Sequence, residues 1–290
     1  MSKHILKRTS TGLILAVFIM FSCKEEDRLT VADTQEISEE SLTDTYFLDL
    51  DDLATVSIAA PEDDQYSGGR QAATITMADS RFCAGTTVTI TPGSNSTLSS
   101  PNGVMTVDFG AGCTDQHGNI RTGKLAFTYN KWRFQPGSTI VTTTDNYTIN
   151  GVKLEGTRTL TNINADNDAE SAPRKFNALL ENGKATFLAD GTTAERESDI
   201  TWEWNRANVG QDFLSILNSS SANGTTRDGR LYEVSVYESL IYKRNCGIAV
   251  SGIKKYFLES KEITIDYGDG NCDMSVVVTV NGTSRSFTIN

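Results

Sequence analysis

Short extended runs separated by turn sequences fill the chain after residue 70. Thr86–Thr91, Val104–Phe109 and Lys124–Tyr129 alternate or are rich in β-branched and aromatic residues, as β-strands are. No helical segments alternate with these runs, so a parallel barrel with crossover helices is excluded. The pattern predicts an all-β fold of antiparallel hairpins, arranged either as a sandwich or as a strongly curved sheet.

Asn-Gly and Asp-Gly pairs mark the expected turns. Asn150-Gly151, Asn182-Gly183 and Asn281-Gly282 each lie next to extended runs. Asn-Gly suits a two-residue type I′ turn, because both central residues of that turn need a positive φ. We therefore expect hairpins at these three pairs, and a fourth at Asp228-Gly229, before the strand Leu231–Tyr237.

A helical pattern precedes the strands, between residues 37 and 60. Its apolar residues recur at spacings of four, four and three, and they are Leu42, Tyr46, Leu50 and Leu53. This period predicts an amphipathic helix that ends before Pro61. We expect the helix to cover an open face of the sheet, and the alternative is a helix that docks a separate partner.

A segment near the start of the strands is repeated near the end of the chain. Residues 105–115 read Met-Thr-Val-Asp-Phe-Gly-Ala-Gly-Cys-Thr-Asp, and residues 263–273 read Ile-Thr-Ile-Asp-Tyr-Gly-Asp-Gly-Asn-Cys-Asp. The shared order of strand, glycines, cysteine and aspartate predicts two related β-hairpin units. We place the first β unit at 71–165 and the second at 166–290, as two domains or as one continuous domain.

The N-terminus has the pattern of an export signal. The apolar run Gly12–Phe21 is about half the length that spans a bilayer, which is typical of a signal peptide at 1–22. The basic residues that precede this run are Lys3, Lys7 and Arg8. Ser22-Cys23 resembles the lipobox of bacterial lipoproteins, which implies cleavage before Cys23 and lipid attachment to its sulfur.

The residues after Cys23 indicate where the protein is sent. Residues 24–27, Lys-Glu-Glu-Asp, resemble the lysine-plus-acidic export signal of Bacteroidota lipoproteins that are sent to the cell surface. Residues 23–36 as a whole are acidic and weakly apolar, so we expect a solvated tether. These features predict a lipid-anchored protein of the outer membrane that is exposed at the cell surface, with the membrane as one partner.

Four cysteines remain once Cys23 carries lipid, and four cysteines allow three pairings. If each repeat closes a hairpin, with turn centres near residues 98 and 259, two cysteines of each unit lie opposite each other. The predicted disulfides are Cys83–Cys113 and Cys246–Cys272. Each would close a loop of roughly 30 residues and add about 3–4 kcal/mol in the chain-entropy model. The alternative is buried cysteines that stay reduced.

The charge balance bears on the choice of partner. The chain has 26 basic and 37 acidic residues, and loss of residues 1–22 would leave 23 basic residues and a net charge of about −14. Such a surface repels phosphate backbones, so nucleic acid is not expected as a partner.

Few residues point to catalysis or to a metal. His117 is the only histidine after the signal peptide, and its context favours a solvated turn. The sequence lacks a nucleophile elbow, a clustered set of zinc ligands and a glycine loop for nucleotides. Asp266, Asp269 and Asp273 lie beside glycines, either as oxygen ligands for calcium or as structural turn residues. A carboxylate pair for glycoside hydrolysis can be neither nominated nor excluded.

Aromatic residues supply a candidate ligand platform. Trp202 and Trp204 are two residues apart, so on a strand they project from the same side. Trp132 and Phe134 share this spacing. An exposed row of rings would stack on sugar faces, whereas the competing interpretation is that the tryptophans line the hydrophobic core.

Several motifs resemble those of uncharacterised Bacteroidota surface-exposed lipoproteins. They are the Asp-aromatic-Gly-x-Gly motif with its cysteine at 108–113, the run 146–157, and the closing segment 266–273 followed by Asn281-Gly282. The resemblance covers residues 40 to 290 approximately. It implies a lipid-anchored β protein and brings no known activity.

These observations together predict a binding or scaffolding role at the cell surface, with a glycan or an envelope protein as partner and no cofactor. An enzyme is not expected, because no catalytic constellation is visible. Two alternatives stay open, namely a surface glycan hydrolase that uses a carboxylate pair and a calcium-stabilised structural module.

Overall fold

The computed structural model describes residues 30–59, 73–75, 77, 79–97, 99–168, 172–205, 213–243, 246 and 248–288. These residues form one helix and sixteen strands, and all the strands belong to one antiparallel sheet. The prediction of an all-β fold with one N-terminal helix is therefore confirmed. The predicted signal peptide, the lipid-bearing Cys23 and Pro61 lie outside the described residues.

The helix α1 spans Val31–Ala59. The first eight strands are β1 (Ala73–Ile75), β2 (Thr87–Pro92), β3 (Gly103–Asp108), β4 (Cys113–Thr114), β5 (Ile120–Tyr129), β6 (Thr139–Ile149), β7 (Val152–Asn162) and β8 (Arg174–Phe187). The other eight are β9 (Thr193–Asn205), β10 (Phe213–Ile216), β11 (Ser221–Thr225), β12 (Leu231–Lys243), β13 (Ser251–Leu258), β14 (Lys261–Asp269), β15 (Ser275–Val280) and β16 (Thr283–Thr288).

Strand order in the sheet follows chain order. Each strand pairs with the next one, with two exceptions. The strand β3 pairs with β5, and the short strand β4 also pairs with β5. Both β10 and β11 pair with β9 on one side and with β12 on the other. The two predicted β units meet where β7 pairs with β8, and the sheet continues through this ladder without a break. The chain is therefore a meander of hairpins, whose register is set by short local turns.

Two of the predicted Asn-Gly hairpins are present. Asn150-Gly151 joins β6 to β7, with φ angles of 50° and 79°, and Asn281-Gly282 joins β15 to β16, with φ angles of 47° and 79°. Both central residues have a positive φ, as a type I′ turn requires. Asp228-Gly229 lies in the turn between β11 and β12, also as predicted.

The prediction of a hairpin at Asn182-Gly183 is wrong. The strand β8 continues through this pair, and the register with β9 shifts between Leu180 and Gly183, which marks a β-bulge. Asn182 alone has a positive φ, and a Cβ on Gly183 would lie 2.4 Å from the carbonyl oxygen of Arg196. The Asn-Gly pair here allows a close approach of β9, and the chain reverses after Phe187 instead.

The helix begins earlier than the sequence pattern indicated. Residues 31–36, assigned above to the tether, are helical. Thr30 Oγ1 accepts a hydrogen bond from the Asp33 amide at 3.1 Å, and Asp33 Oδ2 accepts one from the Thr30 amide at 2.9 Å. This reciprocal pair is a capping box, which satisfies two amides that have no partner inside the helix.

One stripe of α1 faces the sheet, and the character of the stripe changes along the helix. In the N-terminal half the buried side chains are mainly acidic, and in the C-terminal half they are mainly apolar. The buried residues are Asp33, Glu36, Glu40, Thr43, Tyr46, Phe47, Leu50, Asp51, Leu53, Ala54 and Ser57. Leu42, which the apolar period included, is 41% exposed on the other side. The helix covers the sheet, as expected, but through carboxylates as well as apolar residues.

Basic side chains of the strands and of the loops between them form ion pairs with seven carboxylates of α1. The ion pairs join Asp33 to Arg230 and Lys261, Glu39 to Arg227, Glu40 to Arg196 and Lys254, Asp44 to Arg196, Asp49 to Arg121, Asp51 to Arg158, and Asp52 to Arg81. The guanidinium of Arg121 is fully buried and also donates to Asp115 and to the Tyr147 hydroxyl. An Arg fork suits such sites because it can bond to two acceptors at once.

The positions of these pairs show that the sheet curls around the helix. Asp33 is paired with Lys261 of β14, and Asp49 with Arg121 of β5. The helix rises about 24 Å between these two aspartates. Eight strand steps separate β5 from β14, which would be about 38 Å in a flat sheet. The distance along the helix is shorter than the distance across a flat sheet, which favours the strongly curved sheet over the sandwich.

Apolar residues on the inner face, the face towards α1, form two clusters. The first joins the C-terminal half of α1 to β2, β3 and β5–β8, and the second lies along β9–β15 with Ile37 of α1 against it. Trp202 packs against both clusters. The helix α1 lacks the apolar length to cross a bilayer, and no other helix lies within the described ranges.

The first prediction concerns the buried pair between Asp51 and Arg158, whose side chains are 6% and 2% exposed. Asp51→Asn leaves the guanidinium buried without its counter-charge, so the free energy of unfolding should fall by about 3–5 kcal/mol. Urea unfolding measures this loss. The double variant Asp51→Leu, Arg158→Met removes both charges and should recover most of it.

The control is the more exposed pair on the same strand β7. Lys153 and Glu155 are 2.9 Å apart and their side chains are 30% and 43% exposed, so Lys153→Ala should change stability by less than about 1 kcal/mol. Equal losses for Asp51→Asn and Lys153→Ala would contradict the assignment of α1 as an ion-paired core element.

Candidate functional site

The described residues leave little space between the N-terminal half of α1 and the sheet. A cavity of about 10 Å³ lies there, lined mainly by Glu36, Glu40, Thr43, Arg227 and Tyr232. That volume holds about one water molecule. Burial, which dominates, and the neighbouring charges of Asp228 and Glu39 raise the pKa of Glu36. This polar interior therefore serves the packing of the helix.

The four described cysteines form the two predicted disulfides. Cys83 is bonded to Cys113 and Cys246 to Cys272, with Cα–Cα distances of 6.0 Å and 5.5 Å. The hairpins that hold them have the expected registers, because Thr87 pairs with Asp108 and Tyr256 with Ile263.

The two copies of the repeat also make the same turn. Asp108 Oδ1 accepts a hydrogen bond from the Gly110 amide at 2.8 Å, and Asp266 Oδ1 accepts one from the Gly268 amide at 2.8 Å. The motif thus shapes a turn near each disulfide. Asp269 and Asp273 are likewise engaged locally, by the side chain of Asn271 and the amide of Ser275.

The remaining polar candidates give no site for chemistry. His117 is exposed, and its Nε2 lies 2.8 Å from Ser80 Oγ. Across the described part of the chain, no three His, Cys, Asp or Glu residues are placed to hold a metal ion.

The strongest candidate is a group of rings and guanidinium groups on the inner face, where β8 begins and β9 ends. We call it the aromatic–arginine cluster, and its members are Arg133, Phe134, Arg174, Phe176, Trp202 and Trp204. The ladder between β8 and β9 builds it, because Arg174 pairs with Trp204 and Phe176 with Trp202. Residues two apart share a face, so the strand period places all four side chains together.

Ring contacts connect the members of the cluster. Phe176 stacks on Trp202 with 4.6 Å between ring centroids and an interplanar angle of 24°. Phe134 lies 6.4 Å from Phe176, edge on, and 6.3 Å from Trp204. These separations are within the range of favourable aromatic pairs. Phe134 therefore contacts both cross-strand pairs of the ladder, Phe176–Trp202 through Phe176 and Arg174–Trp204 through Trp204.

Phe134 comes from a loop between β5 and β6, so the expectation that Trp132 and Phe134 share one side of a strand is wrong. The chain turns here because Gln135 donates its amide to the Trp132 carbonyl at 2.9 Å. The Arg133 carbonyl accepts bonds from Asn162 Nδ2 at 3.1 Å and Ser138 Oγ at 2.7 Å. These buried donors fix the loop, and Trp132 lies in it, partly exposed.

The rim, by which we mean the ends of β8 and β9 at Arg174 and Trp204, is more exposed than the strand interior at Phe176. Phe176 is 2% exposed, whereas Trp202, Trp204, Phe134 and Arg174 are all partly exposed. Trp202 packs against both apolar clusters, and neither cluster includes Trp204. The core interpretation therefore holds for Trp202, whereas Trp204 lies at the rim.

Two guanidinium groups lie over the Phe134 ring. The Cζ atom of Arg133 is 3.9 Å from the ring centroid, and that of Arg174 is 5.7 Å away. Both distances allow cation–π attraction. The sequence analysis missed these arginines, although the alternation of Arg174 with Phe176 on one strand was a readable signal. Arg133 had no such signal, since its loop conformation depends on distant partners.

Comparison of the chain with protein-family models, with curated proteins and with solved structures finds no match. The aromatic–arginine cluster is accordingly identified by its own geometry. It combines a partly exposed indole with positive charge at an open edge of the inner face.

The second prediction separates the two tryptophans by their environment. Trp202→Ala removes a ring that both apolar clusters contact, so the free energy of unfolding should fall by about 3–5 kcal/mol. Trp204→Ala removes a ring at the rim and should cost less than half as much, because neither apolar cluster includes Trp204. Urea unfolding of both variants measures the difference. Equal losses would mean that Trp204 is a core residue and unavailable to a ligand.

Proposed function

We propose that this chain is a lipid-anchored cell-surface protein that binds a saccharide through the aromatic–arginine cluster. The anchoring part of the proposal is supported by sequence. The apolar run Gly12–Phe21 ends at Ser22-Cys23, and an acidic tether follows. A single lipid-bearing residue before a folded domain would hold the sheet outside the membrane.

The observation that carries the binding part is the partly exposed Trp204 beside Phe134. A flat apolar ring with nearby hydrogen-bond donors matches what a sugar presents, namely an apolar face edged by hydroxyl groups. The ring is held by the β8–β9 ladder and by Phe134, so little side-chain entropy is lost when a ligand binds.

The alternative of a glycan hydrolase would need two carboxyl groups about 5–10 Å apart in an open cleft. The inward carboxylates of α1, such as Glu40, Asp44 and Asp51, are instead bonded to basic side chains of the sheet. This arrangement supports binding as the better proposal. An envelope protein remains the second kind of partner that a scaffolding role would use.

The third prediction tests both parts with the full chain. Cells grown with tritiated palmitate should label the wild-type chain, and Cys23→Ser should abolish the label. The wild-type chain purified in detergent should bind at least one member of a panel of neutral and charged polysaccharides. Trp204→Ala should weaken that binding about tenfold or more, since ring stacking is a main contact.

The matched control is Tyr237→Ala, which removes an aromatic ring that is 60% exposed on strand β12, away from the cluster. It should leave binding unchanged. An unlabelled wild-type chain would refute the lipid anchor. Absence of binding across the whole panel, or equal binding by the wild type and Trp204→Ala, would refute the proposed binding function.

A further inference from the structure

Most arginines of the described residues are paired with carboxylates. Acidic residues outnumber basic ones by 37 to 26, so counter-charges are abundant. Six arginines of the described residues have a carboxylate oxygen within 4.0 Å, and they are Arg81, Arg121, Arg158, Arg196, Arg227 and Arg230. An arginine without such a partner is therefore an exception that the composition does not explain.

Arg174 is such an exception. No carboxylate of the described residues lies within ion-pair distance of its guanidinium, and its buried Nε has no hydrogen-bond partner there. Arg196 and Arg230 also have one unbonded buried nitrogen each, but their other nitrogens are bonded to carboxylates. A buried donor without an acceptor among the described residues is costly, which favours a ligand that supplies the acceptor.

The nearest acidic residue along the ladder is already engaged on the opposite face. Lys175 Nζ lies 2.8 Å from the Glu203 carboxylate. Lys175 and Glu203 pair across β8 and β9 and alternate with Arg174 and Trp204, so this ion pair faces away from the cluster. The inner face at the rim thus keeps an uncompensated positive charge beside the Trp204 ring.

Arg133 adds a second guanidinium over the same Phe134 ring. Both guanidinium groups lie within about 6 Å of one ring centroid, and the charge of Arg133 also acts on Asp52 of α1. A guanidinium presents several N–H donors in a plane, which matches the oxygens of a carboxylate or a sulfate. The shape and the charge of the rim are therefore complementary to an anion carried on a flat ring.

We infer that the ligand is an anionic saccharide, whose carboxylate or sulfate group is bound by Arg174 while its ring lies on Trp204. This inference rests on the proposed function and names its ligand class. The net charge of −11 repels polyanions, so binding depends on this contact rather than on general attraction.

The experiment measures binding of the full chain in detergent to two matched pairs of polymers. Polygalacturonate is compared with its methyl ester, and dextran sulfate with dextran. At least one charged polymer should bind tenfold or more tightly than its neutral partner. Arg174→Gln should remove this preference, since a charge-assisted bond to the anion is lost. The pair that shows the preference identifies carboxylate or sulfate as the bound group.

Two further variants keep the result interpretable. Arg285→Gln makes the same charge change at an exposed residue of β16 and should keep the preference. Arg174→Lys retains a cation beside the rings but loses the planar fork, so it should keep part of the preference. If Arg174→Gln is unstable, Arg174→Lys replaces it as the test of the guanidinium.

Three outcomes overturn the inference. If charged and neutral polymers bind equally and Trp204→Ala still weakens both, the saccharide function stands and the anionic class is wrong. If no polymer binds, the proposed function fails as well. If Arg174→Gln lowers stability but leaves the preference unchanged, the guanidinium stabilises the fold and does not bind the ligand.

Discussion

The ion pairs between the carboxylates of α1 and the basic side chains of the sheet are the constraint on which this structure depends. One helix has to cover the inner face of a meander that continues from β1 to β16. Most of its buried apolar residues belong to the first cluster, and its N-terminal half meets the sheet mainly through Asp33 and Glu40, with Ile37 against the second cluster. The buried charges of Asp33 and Glu40 are tolerable because both have counter-charges and hydrogen bonds. The pairs also fix which strand lies over which helical turn.

This way of filling the interior determines where a ligand can bind. Curved sheets commonly hold a ligand on their concave side, but here the helix and its ion pairs occupy that space. The rim at Arg174 and Trp204 is a partly exposed part of the inner face. Positive charge inside the sheet is matched by α1, whereas the charge of Arg174 at the rim is not matched within the described residues. The same electrostatic pattern thus explains a stable interior and a candidate binding edge.

Local patterns were sufficient to predict the strands, two type I′ turns and both disulfides, because hairpins join neighbours in sequence. They failed at Asn182-Gly183, where a tertiary contact with Arg196 turned an expected hairpin into a bulge. The sequence analysis assigned Asp33 and Glu36 to a solvated tether and made no prediction for the later acidic residues of α1, since nothing local indicates that Arg121 and Arg158 lie opposite them. Of the aromatic–arginine cluster, the sequence predicted that Trp202 and Trp204 lie on one side of a strand. Its arginines depend on the ladder register and on a loop fixed by Asn162.

The pH dependence of stability tests the central claim most directly. Burial by itself raises the pKa of Asp33 and of Asp44, but bonds from Lys261 to the first and the charge of Arg196 beside the second hold both pKa values below their usual range. Their contribution is present above about pH 4 and lost as the pH falls through the lowered values. Urea unfolding between about pH 7 and pH 2.5 should therefore show a falling free energy of unfolding, with a shallower fall in the variant Asp33→Asn, Asp44→Asn. A flat profile, or the same slope in both chains, would contradict the account.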